Sequence, residues 1–68
     1  MIGLGHVARL VDAEHVEAQR LARARATWER AWDARKRWPG RYRTAWLDYM
    51  RARTRHTNAR VLRINAQL

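Results

Sequence analysis

Arg35-Lys36-Arg37-Trp38-Pro39-Gly40-Arg41-Tyr42-Arg43 is the stretch on which the fold turns. Proline removes a backbone donor and drives the residue before it out of the helical region. Gly40 beside it permits a sharp reversal. No other strong breaker follows Gly5, and both flanks are rich in Ala and Arg, which are good helix formers. The pattern predicts an all-α fold: two long helices over 6–37 and 41–66, joined by a turn at Pro39-Gly40. An alternative breaks the first helix near Asp12, which has the chemistry of an N-cap. Each arm would be roughly 40 Å long at the helical rise.

The apolar periodicity agrees. The first arm carries a stripe of Val7, Leu10, Val11, Ala18, Leu21, Trp28 and Trp32; the second carries Tyr42, Trp46, Met50, Val61, Ile64 and Leu68. Spacings of three, four and seven place each set on one helical face. Folding at Pro39-Gly40 pairs Trp32 with Trp46, Trp28 with Met50, Ala18 with Val61 and Val11 with Leu68. The same register brings Arg25 close to Arg53 in the middle layer. Two arginines there are unfavourable without an acidic partner. Glu14 lies on the stripe near the other end.

The whole chain of 68 residues forms a single domain at most. A chain this short buries only ~60% of its unfolded surface, and small folds usually add disulfides, a metal or a partner subunit. With no Cys, disulfides, thiolate metal sites and cysteine nucleophiles are excluded; the absence of Ser removes serine acyl chemistry. A two-helix hairpin also cannot cover its own apolar faces. The expectation is a homodimer closing into a four-helix bundle, with the core built from Val11, Ala18, Leu21, Trp28, Trp32, Trp46, Met50, Val61 and Ile64. In architecture alone such an assembly is similar to small plasmid-encoded RNA-binding regulators and to phage proteins that block host regulators.

Charge is unevenly divided. Residues 1–34 hold five Arg and five acids, whereas 35–68 hold ten basic residues and only Asp48, which accounts for the net +9. Fourteen of the 15 basic residues are Arg, a bias that GC-rich coding also produces. A basic half of this kind favours phosphates, acidic protein surfaces or anionic lipids. Arg51, Arg55, Arg60 and Arg63 spread around the second helix without forming one stripe, which suits a solvated face as well as a binding one.

All six aromatic residues fall around the turn: Trp28, Trp32, Trp38, Tyr42, Trp46 and Tyr49. Trp28, Trp32 and Trp46 sit on the stripes and read as core. Trp38 and Tyr49 sit off them and read as exposed contacts. Trp, Tyr and Arg dominate binding hot spots and also stack on nucleic-acid bases. The candidate partner surface is Arg35, Lys36, Arg37, Trp38, Arg41, Tyr42, Arg43 and Tyr49.

Other motifs carry less. Glu29 and Asp33, four apart and flanked at the same spacing by Arg25 and Arg37, read as a ladder of intrahelical ion pairs. Asp12 and His15 share a face, but the second helix offers only Asp48 and His56, too far apart for a dimetal bundle site; His6 is near the chain end. No phosphate-binding glycine loop or zinc spacing occurs, so no cofactor or metal is expected. A DNA-binding helix-turn-helix uses shorter, steeply joined helices. A membrane-surface helix uses the same Arg, Trp and Leu, but the stripes match each other and a membrane role is not expected. Arg9 interrupts the N-terminal apolar run, residue 2 is not Gly, and nothing approaches the ~20 apolar residues of a span. The expected setting is the cytoplasm.

Together these features favour a non-enzymatic adaptor or inhibitor that binds a protein with an acidic or apolar surface. A nucleic-acid regulator using the basic second helix is the alternative. In a third version the chain is a part of a larger assembly, whose acids would meet Arg25 and Arg53.

Overall fold

The computed structural model describes residues 4–68. Met1–Gly3, on which the reading of the N-terminus partly rests, lie outside the described residues. Two α-helices, α1 (Leu4–Asp33) and α2 (Pro39–Gln67), pack against each other along their length. The result is a rod with extents of 55 × 14 × 12 Å. No strand occurs among the described residues, and α1 runs through Asp12 without a break. No helix is long and apolar enough to cross a membrane among the described residues.

The reversal sits earlier than Pro39-Gly40. α1 ends at Asp33, and its last carbonyls are taken by tightened turns: the amides of Ala34, Arg35 and Arg37 donate to the carbonyls three residues back, at 3.2, 3.3 and 3.1 Å. The Trp38 amide closes the turn on the Ala34 carbonyl at 2.9 Å. Trp38 itself leaves the helical region, with φ −133° and ψ 67°, as the clash with a following proline ring requires. Pro39 and Gly40 then form the first turn of α2. A proline at that point loses no helical hydrogen bond and has the helical φ already set. No glycine among the described residues has positive φ, so Gly40 makes no sharp turn.

The contact between the helices follows a heptad. On α1 the partly covered positions include Val7, Leu10, Glu14, Glu17, Leu21, Ala24, Trp28 and Ala31; on α2 they include Tyr42, Ala45, Tyr49, Ala52, His56, Ala59, Arg63 and Ala66. Alternating steps of three and four keep one seam facing the partner helix. Ala45 and Ala52, each 5% exposed, are the most buried residues. Small side chains there let the backbones approach closely, and larger ones close the edges of the seam.

This seam differs from the stripe expected on α2. Trp46, Val61 and Ile64 are 39–49% exposed. The register moves too: Trp28 lies against Tyr49 and Trp46, and Glu14 against Arg63. The physical reason is charge. A stripe through Trp46, Met50 and Val61 also carries Arg53 inward, opposite Arg25, whose acid, Glu29, is already paired with it. With Ala52 inward instead, Arg25 and Arg53 are both exposed.

Candidate functional site

The aromatic residues around the turn assemble into one cluster, held by both helices. Trp28 stacks on Tyr49 with centroids 5.4 Å apart and planes 14° from parallel. Trp46 tilts against Trp28 at 5.5 Å and against Tyr49 at 6.1 Å. Tyr42 tilts against Trp32 at 5.6 Å, and Trp32 against Trp28 at 6.1 Å. Each such pair contributes ~0.5–1.5 kcal/mol beyond its buried area. The cluster is a core at its centre and a surface at its edge. Trp28, Tyr42 and Tyr49 are half-buried, whereas Trp32 and Trp46 are exposed. The Trp28 indole N–H is buried with no acceptor.

Tyr49 therefore stands inside the helix seam, where the sequence pattern placed it on the exposed surface; Trp32 and Trp46 stand at the rim, where the pattern placed them in the core. The rotation of α2 by about one residue moves Tyr49 and Trp46, while Trp32 lies beside the α1 seam that runs through Trp28 and Ala31.

The basic residues divide by role. The Arg35 guanidinium lies 4.0 Å over the Trp32 ring, and its Nη1 donates to the Trp32 carbonyl at 2.9 Å. It caps the end of α1 and is only partly exposed. The Arg41 guanidinium lies 4.9 Å over Trp38, which is 49% exposed. Lys36, Arg37 and Arg43 are exposed and make no ion pair among the described residues. The end of the rod thus presents two accessible indoles, Trp32 and Trp38, each with a cation on its face, and the exposed cations of Lys36, Arg37 and Arg43 in the same stretch of chain.

Trp38 and Arg41 also border an open groove of about 540 Å³ on the broad face opposite the aromatic cluster. Its floor is small (Ala31, Ala34, Gly40, Ala45), and Arg30 and Asp48 edge it. The sequence pattern missed this groove. The recurrence of Ala at 45, 52, 59 and 66, seven apart, signals the α2 seam, of which Ala45 alone reaches the groove.

Polar pairs complete the picture. Arg63 Nε and Nη2 both donate to the Glu14 carboxylate across the seam, the latter at 3.4 Å. The donation from Arg63 holds the Glu14 carboxyl below its usual 4.5; burial opposes the effect, and the positive charges of His56 and Arg60 add to it. Arg25 pairs with Glu29 at 3.1 Å and Arg20 with Glu17 at 2.9 Å. The Asp33 end of the expected ladder does not form, because α1 stops there. His15 contacts Gln19 at 3.3 Å. Among the described residues, no group of three or more His, Asp or Glu side chains is placed to hold a metal ion.

No known protein family, curated protein or solved structure matches this chain.

Proposed function

We propose that this chain is a non-enzymatic interaction module that docks on a protein partner through the tip of the hairpin and blocks that partner's surface. The observation that carries this reading is Trp38: half exposed, with Arg41 on its ring and Lys36, Arg37 and Arg43 beside it. Aromatic anchors and unpaired arginines are what interfaces are richest in. The matching partner surface is acidic with an apolar recess for the indole. Trp38→Ala combined with Arg41→Glu is expected to weaken partner binding by at least about a hundredfold, on the scale of losing two hot-spot residues. Full binding by that double variant, measured by titration calorimetry, overturns the reading.

The module works as a homodimer. A folded monomer of 8.1 kDa exposes about 4,500 Å², and this chain exposes 5725 Å². The excess of roughly 1,200 Å² is of the size one protomer covers in a stable interface. The face bearing Trp32, Trp46 and Val11 is the natural place for the second copy, since these large apolar side chains are 39–43% exposed on it.

A second reading has its own support. Arg41, Arg43, Arg51, Arg53, Arg55 and Arg60 are all exposed on α2 and none has a carboxylate partner among the described residues. Such a helix is suited to phosphates. Binding to duplex or single-stranded DNA or RNA would then fall with salt at a log–log slope of about −0.7 to −0.9 per phosphate contacted. No retention of either polymer at low salt removes this reading.

A further inference from the structure

α2 carries two seams, and the hairpin uses one of them. The second consists of Leu47, Met50, Thr54, Thr57, Val61 and Ile64, again in alternating steps of three and four. By the helical repeat it lies on the side of α2 turned away from α1. Leu47, Val61 and Ile64 are 47%, 49% and 39% exposed. No residue of this seam is charged.

Two shallow depressions on it have a specific shape. One of about 350 Å³ is framed by Leu47, Met50, Arg51, Thr54 and Arg55. The next, of about 280 Å³, is framed by Met50, Arg53, Thr54, Thr57 and Asn58. Each frame contains the i, i+3, i+4, i+7 diamond that accepts one side chain of a facing helix in knobs-into-holes packing, with the i+8 residue at its edge. The two diamonds are consecutive and share Met50 and Thr54. The polar atom at their common edge is already satisfied, because the Thr54 hydroxyl donates to the Met50 carbonyl at 3.1 Å. Covering it with an apolar knob leaves no orphan donor.

The charges beside the seam select the occupant. The flanking positions hold Arg51, Asn58 and Asn65 on one side, and Arg53 and Arg60 on the other, with no acid on either. Charges at these positions set partner choice in coiled coils. A second copy presenting the same seam brings no acid to these arginines: run antiparallel it sets Arg53 against Arg60, and run parallel it offers them only Asn58 and Asn65, so self-pairing is disfavoured. We infer that the outer face of α2 is a docking seam for an amphipathic helix of another protein whose apolar stripe is flanked by Asp or Glu. This surface is distinct from the tip, and one chain would offer both.

The test uses three synthetic three-heptad peptides and the full chain. The first has Leu and Ile at the seam positions and Glu at the flanks; the second has Lys at the flanks; the third is a scramble of the first. The Glu-flanked peptide is expected to bind at least about tenfold more tightly than either control. Val61→Ser with Ile64→Ser, which leaves the charge unchanged, is expected to remove at least about tenfold of that affinity while helicity by circular dichroism stays the same. Arg51→Glu, Arg53→Glu and Arg60→Glu together are expected to switch preference to the Lys-flanked peptide. Trp38→Ala leaves all of this unchanged, which separates the seam from the tip. Equal binding of the scramble shows charge attraction alone and overturns the inference. So does full peptide binding by the serine variant, or dissociation of a homodimer by it in light scattering, which would assign the seam to a second copy. Should the serine variant lose helicity, the charge-swap variant decides alone: no switch of preference overturns the inference.

Discussion

At Ala52 the side chain is a single methyl because the backbone of α1 passes directly over it. With 5% exposure there is no room for growth. Ala52→Leu forces the helices apart or the leucine off its rotamer, and is expected to destabilise the hairpin by ~1–3 kcal/mol in urea or thermal unfolding. The same change at Ala26, which is exposed, is expected to fall within about 0.5 kcal/mol of neutral. Glu14 sets a different kind of limit. Its carboxyl titrates below 4.5 in the folded chain because Arg63 donates to it. A depressed folded value means the contribution to stability is complete above the unfolded value and is lost as pH falls through the folded one. Acid unfolding is therefore expected to steepen below about pH 4.5, and Glu14→Gln to flatten that limb while lowering stability at neutral pH; denaturant midpoints across pH 3–7 measure both.

Within α2 the first turn and the two seams explain the element. Pro39 begins the helix and the Trp38 carbonyl accepts its first bond, from the Tyr42 amide at 3.2 Å. Gly40 is then an ordinary helical position with open space where a Cβ would stand. Gly40→Ala is expected to stabilise the hairpin by about 0.5–1 kcal/mol, since the unfolded chain loses freedom and the folded one loses nothing. A fall in melting temperature on this change would place the reversal back at Pro39-Gly40. The seams show why helix 2 resists reading by hydrophobicity. Its more apolar stripe is the outer one, whereas the inner one consists of Ala, two Tyr, His56 and Arg63. The inner seam wins because it stacks Tyr49 on Trp28 and pairs Arg63 with Glu14. The outer stripe offers α1 neither contact.

The whole molecule is a rod one helix pair thick. Two layers of helix leave both broad faces and one outer stripe without cover, and the surface area is correspondingly large. Light scattering is expected to give a dimer mass at micromolar concentration, with Trp32→Glu and Trp46→Glu together shifting it to monomer. A nucleic-acid pool added at low salt separates the two readings of the cations. A dimer that ignores it leaves protein docking at the tip. Co-elution that vanishes at high salt makes phosphate the ligand of α2.

Helicity, the number of helices and the crowding of aromatics and cations near the turn follow from the chain alone, because they rest on local rules. Proline punctuation, Ala and Arg propensity and apolar spacing act over a few residues. The rotation of α2 about its axis does not follow from them. It depends on which of two heptad seams meets α1, a contest settled by contacts between residues 21 to 49 positions apart, such as Trp28 with Tyr49 and Glu14 with Arg63. That rotation decided the candidate surfaces on α2: it took Tyr49 into the seam, brought Trp46 to the rim, and turned Val61 and Ile64 outward. A hydrophobic count ranks the outer stripe first, since it scores each residue alone. The fold ranks it second, since a close-packed helix pair is stabilised by how well its two surfaces fit and how its charges are paired.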